Sequence, residues 1–467
     1  MSNDWPAVCL NDFVSIKHGF AFKGEFFSDT PTKDVLVTPG NFAVGGGFKS
    51  DKLKYYNGPV PEDYILNPDD LLVTMTDLSK QADTLGFSAL VPSHSSNQYL
   101  HNQRIGLVTF KNLELDKFYL FFLLRSQEYR HHVISSATGS TVKHTSPSRI
   151  TSFELRLPPL PVQEKVGRVL KYFEDKIQLN NQISQTLEQM AQAIFKSWFV
   201  DFEPTKAKIA VLDAGGTEDE ALLAAMTAIS GKNNAELEQF KNVSPEQYKV
   251  LKTTAELFPS EMQDSELGEI PEGWEASTIG VEFDVTMGQS PPGSSYNESG
   301  DGSAFFQGRR DFGVRFPANR VYCTEPKRMA KQGDTLLSVR APVGDVNIAS
   351  IDCCIGRGLA AIRHKTGCSS FTYYSVINLG QSLASYNSEG TVFGSINQKS
   401  LNSLPMIAPT KKTLEVFSNI VGKLDDMIKA LSIEVLTLAE LRDTLLPKLL
   451  SGELDISGLA DNLESDV

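Results

Sequence analysis

The feature that most constrains this chain is a long amphipathic stretch that occurs twice. From Leu157 the sequence runs LPPLPVQEKVGRVLKYFEDKI and continues QLNNQISQTLEQMAQAIFKSWFVDFEP to Pro204. Its apolar residues fall at Val166, Val169, Leu170, Phe173, Ile177, Ile183, Leu187, Met190, Ile194 and Trp198, the spacing of one stripe along a helix. Pro161 suits a first turn, and Pro204 marks a point by which the helix has ended. Roughly 38 residues at 1.5 Å each predict a rod of about 57 Å. Slid along itself by about 251 positions, the sequence repeats this stretch without a gap: Val166 falls on Phe417, Phe173 on Leu424, Asp175 on Asp426, Ile177 on Ile428, Leu187 on Leu438 and Ile194 on Leu445. A helix of that length needs a partner for its apolar face, and the chain carries one.

The register extends upstream, pairing Ile150 with Leu401, Ser152 with Ser403 and Pro158 with Pro409. Farther back it becomes gapped but stays visible. Trp5 and Gly19 match Trp274 and Gly288, DLLVTMT from Asp70 matches DTLLSVR from Asp334, and Arg104 matches Arg357. The copies agree well in the helices and poorly in the domains before them. Short apolar runs broken by turn signals, such as VLVTPGNF from Val35 and the Gly45-Gly46-Gly47 run, predict strand-rich bodies with one helix from Leu115, LDKFYLFFLLRSQEYRHHVI. The expected fold class is α+β: two mixed, strand-rich domains separated by two long antiparallel helices with pseudo-twofold symmetry. The expected divisions are 1–157, a first domain; 158–203, a long helix; 204–273, an acidic linker with short helices; 274–409, a second domain; 410–450, a second long helix; and 451–467, an acidic tail.

The net charge of -13 is unfavourable for a nucleic-acid binder, whose affinity rests largely on phosphate contacts. Its distribution matters more than its sum. Residues 201–273 carry about -9 and residues 451–467 about -5, which leaves the domains and long helices close to neutral together. No apolar run approaches the ~18 residues of a membrane span, and Met1 to Lys17 lacks a basic start followed by an apolar core, so the expected location is cytoplasmic, away from membranes. The five cysteines, Cys9, Cys323, Cys353, Cys354 and Cys368, show no C-x-x-C spacing, which points to neither zinc nor a disulfide framework.

Signals for catalysis are missing. No phosphate loop or G-x-G-x-x-G fingerprint occurs, and Ser290-Pro291-Pro292-Gly293 lacks both flanking residues of an amino-methyltransferase tetrapeptide. His131 and His132 have no ligand at metal spacing and read as solvent-exposed residues near a helix end. The expectation is a non-catalytic chain. The competing classes are a coiled-coil adaptor without DNA specificity and a free-standing defence nuclease.

The two-domain, two-helix plan resembles the specificity subunit of type I restriction-modification systems. The strings LPPLPVQEKV, KIQLNNQISQTLEQMAQAIFKSWFVDFEP, LFPSEMQDSELGEIPEGW and GDTLLSVRAPVGDVNIA leading to CIGRGLAAI carry that resemblance, which covers nearly the whole chain. It implies a DNA-reading subunit in which each domain reads one half of a bipartite duplex target. The helices would set the spacing and dock two modification subunits. S-adenosylmethionine would belong to those methyltransferase partners, and ATP and Mg to the restriction subunits, with no cofactor on this chain. Half-sites on one DNA face recur about every 34 Å, which suits paired readers held apart by helices.

Base edges and phosphates are met by Arg, Lys, Asn and Gln. In the second domain the best candidates are Gln307, Arg309, Arg310, Arg340, Ser395 and Asn397; in the first, Thr76, Lys80, Thr141, Lys143 and His144. Arg104 and Arg357 are read instead as tying strand ends by salt bridge. Tyr55 and Tyr56 fit either stacking on DNA or alternate strand packing. The helix pair is expected to pack through Phe173, Ile177, Asn180, Leu187, Ile194 and Trp198 against Leu424, Ile428, Leu431, Leu438 and Leu445. Asn180, matched by Leu431, either fixes register at a cost in stability or faces solvent where the stripe drifts. In the second helix Leu449 stands where Trp198 stood, and Pro447 is expected to bend or stop its last turns.

Overall fold

The computed structural model describes residues 5–454 apart from 51, 78, 80, 94–96, 140–141 and 388–393. Most of the expected acidic tail, from residue 455 onward, lies outside the described residues, as do Lys80 and Thr141. The chain divides into two compact units, residues 1–181 with 432–467, and residues 182–431. Each unit holds one mixed domain and one half of each long helix, Leu160–Phe199 and Lys411–Leu450, both of 40 residues.

In the first unit the outermost strands of the domain, Ala7–Cys9 and Glu154–Arg156, pair with each other. Between them, Val14–His18, Ile105–Phe110, Leu71–Thr74 and Ser88–Leu90 form an antiparallel sheet in that order, and a second sheet runs Phe27–Ser28, Lys54–Tyr56, Asp34–Val37, Gln98–His101. Successive strand residues point to opposite faces, and the central strand uses both. Leu71 and Val73 enter one core while Leu72 enters another. The helix expected from Leu115 divides into Lys117–Leu123 and Gln127–Ser135, because Ser126 accepts from Tyr129 N at 3.2 Å and starts a new helix. The core of the unit also takes in Val166, Val169 and Leu170 from near the start of one long helix and Leu449 from near the end of the other. With the ion pair Glu174–Arg442, this makes the two helix segments antiparallel. Pro447 does not stop the second helix, which continues to Leu450. Its missing hydrogen bond is tolerated because Leu445, Leu446, Leu449 and Leu450 are held by the domain core.

The second unit repeats the plan. Glu275–Thr278 pairs with Pro405–Ala408, one sheet runs Phe283–Met287, Leu359–His364, Thr335–Ser338, Val346–Ile348, and a five-stranded sheet carries Ser303–Phe306 parallel to Cys353–Ile355. Leu336 and Leu337 again point into different cores. The larger core joins Ala191, Phe195, Trp198 and Phe199 to Leu414, Phe417 and Val421, so these helix segments are antiparallel as well. The expected acidic linker with short helices forms four, Glu203–Asp213, Glu218–Ser230, Asn234–Val243 and Pro245–Ala255, the last three sharing a core of Ala225, Met226, Leu237 and Ala255. A hairpin of Met262–Ser265 and Gly268–Pro271 follows.

Along the long helices Trp198 and Ile428 are buried, and Phe173, Ile177, Leu187, Ile194, Leu424, Leu431, Leu438 and Leu445 are half-buried. Met190 departs from the expected stripe. It is 49 % exposed, and its neighbour Ala191 is buried in its place, because a stripe of period 3.6 drifts around the helix. Asn180 is buried, with neither end of its amide hydrogen-bonded, which removes the solvent-facing alternative.

Candidate nucleic-acid interface

In the first domain the strand Leu71–Thr74 is followed, after Met75, by Thr76–Asp77, which pairs with Lys143–His144. Thr76 Oγ1 and His144 Nδ1 lie 3.1 Å apart. Asp77 anchors the loop beyond. Burial disfavours its charge, but hydrogen bonds from Thr84 and Ser79 more than offset this and hold its pKa below the ordinary value. Arg130 adds bonds from its guanidinium to the carbonyls of Ala82 and Leu85.

The second domain makes the same contact with different chemistry. Arg340, at the position of Thr76, bridges to Ser395, at the position of His144. Flanking bonds run from Ala341 N to Gly394 O at 2.9 Å and from Ile396 N to Val339 O at 3.1 Å. Residues about 55 to 70 positions apart in each sequence thus meet at equivalent places. Gln307, Arg309 and Arg310 sit in the loop after Ser303–Phe306 and are exposed. The carboxylate of Asp311 holds that loop, accepting from Gln307 N at 2.7 Å, Gly308 N at 3.2 Å and Arg320 Nη2 at 2.8 Å. Arg309 pairs with Asp345, which lies with Arg340 in the connection between the paired strands Thr335–Ser338 and Val346–Ile348. Gln307 and Arg310 also line a cleft of about 290 Å³ with Tyr296, Phe305 and Asp311. In the first domain the corresponding turn is Pro39–Asn41, where Asn41 accepts from Thr38 N at 2.9 Å as Asp311 accepts from Gly308. Pro and Gly stand there where the second domain has two arginines.

Several expectations change. Asn397 caps the helix Gln398–Asn402, accepting from Ser400 N at 2.9 Å, so its carbonyl is committed and its amide NH2 remains. Thr76 is 5 % exposed, which leaves His144 and the half-buried Lys143 as the outer members of their cluster. Arg104 and Arg357 are exposed and, among the described residues, form no ion pair. Because Met75 N bonds to Arg104 O and Val339 N to Gly358 O, each arginine stands beside its domain's strand contact, a place a salt-bridge reading concealed. Tyr56 is buried against Phe22 and Phe26, so strand packing accounts for it. His131 is exposed, but His132 is half-buried, its Nε2 2.8 Å from Arg149 O and its ring against Phe153.

Over 369 residues the chain is 31% identical to the type I restriction enzyme HindI specificity subunit of Haemophilus influenzae, covering 73% of this chain and 78% of that one. The chain belongs to the family of type I restriction-modification specificity subunits. The family model described as the type I restriction modification DNA specificity domain matches residues 2–189. A putative type I restriction enzyme MjaX specificity subunit of Methanocaldococcus jannaschii is 27% identical over 364 residues, 76% of this chain and 72% of that one. In fold, the chain is similar to the crystal structure of a type I restriction-modification system S subunit from M. genitalium, with a TM-score of 0.54, 14% identity and 96% coverage of each chain.

Two further groups of residues escaped the sequence reading. Arg125 and Arg315 are buried arginines that reach carboxylates of the long helices, Glu174 for the first, Asp425 and Glu188 for the second. One signal was available. Glu174 and Asp425 fall on each other under the same offset of about 251 that pairs Asp175 with Asp426.

Proposed function

We infer that this chain is the DNA-reading subunit of a type I restriction-modification complex and performs no chemistry of its own. Each domain reads one half of a bipartite duplex target. The long helices set the number of base pairs between the halves and dock two modification subunits. S-adenosylmethionine chemistry belongs to those subunits, and ATP and Mg to the restriction subunits that join them.

One observation carries the reading: two domains with the same strand contact present different side chains there, His144 beside the buried Thr76 in one and Arg340 with Ser395 in the other. A shared frame with exchanged polar groups is what two different half-sequences require, since arginine suits guanine O6 and N7 while hydroxyl and imidazole groups match other edges. Arg104, Lys143, Arg309, Arg310, Arg340 and Arg357 supply cations for phosphate or guanine, although the whole chain is acidic. Apolar side chains left exposed on the long helices, among them Leu179, Met190, Met427, Ile433 and Leu436, support docking of partner helices.

The test is exchange of residues 274–409 for the corresponding domain of a relative, followed by methylation sequencing in a host that also carries the modification subunit. The pairing of Glu275–Thr278 with Pro405–Ala408 makes these ends a self-closed boundary. One half of the methylated site is expected to change and the other to persist. Change in both halves, or in neither, refutes the assignment of one domain to one half.

A further inference from the structure

The loop that carries Arg309 and Arg310 does not end with them. Five residues beyond Arg310 it turns inward at Arg315, whose side chain is 3% exposed. That guanidinium pairs with Glu188 of the first long helix and with Asp425 of the second, and it lies 3.2 Å from Tyr374 OH. Its face packs over the rings of Tyr373 and Tyr374 at 4.5 and 5.6 Å. Asp425 is itself held by Ser370 Oγ and Tyr374 OH. The backbone of Arg315 is also fixed, because Ile348 N donates to its carbonyl at 2.9 Å. A single guanidinium therefore joins the candidate reading loop to both helices.

The first unit reaches the same result by another route. Its corresponding loop contains Gly45, Gly46 and Gly47, all with positive φ. Arg125, after the helix Lys117–Leu123, donates through Nε to Gly45 O at 2.7 Å and through Nη1 to Glu174 at 3.1 Å. Arg442, from the second long helix, donates to the same carboxylate at 2.7 Å. A Cβ on Gly46 would stand 2.7 Å from Arg125 Cγ, so glycine is what lets the arginine lie along the loop. Glu174 and Asp425 occupy the same position of the repeated helix, yet the arginines that reach them come from different places in the two domains.

We propose that Arg125 and Arg315 are positioning residues that tie the loop next to each domain's candidate reading surface to the long helices, so that discrimination in each half-site depends on its own clamp. The proposal rests on the reading of this chain as a DNA-specificity subunit. A buried bridge that holds a loop in one place acts on specificity through geometry, and arginine is suited to it because its planar fork meets two acceptors at once, Gly45 O and Glu174 for Arg125 and two carboxylates for Arg315, which lysine does not.

The experiment uses the full chain with its modification subunit in a host whose genome is sequenced for methylation. The variants are Arg315→Lys, Glu188→Gln and Arg125→Lys; Glu188→Gln retains the Arg315–Asp425 contact and keeps a mild variant in hand. The readout is the ratio of methylation at cognate sites to that at sites with one mismatch, scored separately for each half. Arg315→Lys and Glu188→Gln are expected to lower this ratio in one half only, about tenfold for Arg315→Lys and less for Glu188→Gln, with Arg125→Lys acting on the other half. Unchanged discrimination in the folded variants overturns the proposal. So does a uniform loss at cognate and mismatched sites alike in both halves, the mark of a merely structural role. Absence of any bipartite methylated site with the wild-type chain would instead overturn the DNA-specificity reading itself.

Discussion

Substitution of Glu174 by Gln tests how much the first clamp contributes and in which pH range. The carboxylate is 21% exposed, and it accepts from Arg125 and Arg442 at 3.1 and 2.7 Å. Burial disfavours its charge, but the two guanidiniums more than offset this and hold its pKa below the ordinary 4.5. The neutral amide keeps the shape and one acceptor, but it leaves the guanidinium of Arg125, 4% exposed, without an anion. Removing one partner of a buried pair costs about 3–5 kcal/mol, and with the retained oxygen we expect the lower end, about 3 kcal/mol. At about 2–4 °C per kcal/mol for a unit of this size, the melting midpoint of the first unit should fall by roughly 6–12 °C at pH 7. A depressed folded pKa gives stability that is present above the unfolded value and lost as pH falls through the folded one. The gap between wild type and variant should therefore stay constant from pH 7 down to about 5 and narrow below about 4.5. Glu188 slopes the other way. Burial outweighs the pull of a guanidinium it shares with Asp425 and raises its pKa, so the stability it contributes is present at low pH and lost as pH rises through that raised value. Calorimetric midpoints for wild type, Glu174→Gln and Glu188→Gln across this range decide the matter. A Glu174→Gln gap as wide in acid as at neutral pH, or no gap at pH 7, refutes the reasoning.

Further outcomes are checked by the same melting curves. Trp198→Ala, which empties a site lined by Phe199, Phe258 and Phe417 with ring centroids 5.1–6.1 Å away, should cost about 3–5 kcal/mol; Leu449→Ala, in the other core, should cost about 2–5 kcal/mol. Pro447→Ala should stabilise by about 1–3 kcal/mol, since it restores an N–H to a helix that already continues to Leu450; an unchanged midpoint would mean that the helix bears no strain there. Gly19→Ala and Gly288→Ala should both destabilise by more than about 2 kcal/mol, because a Cβ would collide with the backbone carbonyls of Asn102 and Gly356 respectively; wild-type midpoints would show that the backbone yields.

The pair Gly19 and Gly288 shows what sequence comparison within one chain can find. Two glycines matched across a gapped repeat turn out to allow the same close backbone approach, although nothing local to either sequence announces it. Asn180 shows the limit. Its place in the stripe left burial and exposure equally open, and only the packed helix decided that the amide is buried without a hydrogen bond. The DNA-facing candidates fall between these cases. Residue type singled out Arg340 and Ser395, but their contact joins residues 55 positions apart, and the reinterpretation of Arg104 and Arg357 needed their exposure.

What the sequence determined by itself is what repeats and what is local: the doubled helix with its 3.6-residue stripe, the α+β class, the turn-rich domains and the family. Periodicity and turn chemistry act over a few residues, so they are written in order along the chain. Only the tertiary structure decided that Pro447 is carried by packing, that helices of the linker gather around a small core of their own, and that a buried arginine in each unit reaches a carboxylate of a long helix. The contact of Arg442 with Glu174 spans 268 positions. Its energy comes from desolvation and charge at close range, which depend on where the chain returns and not on the order of its residues.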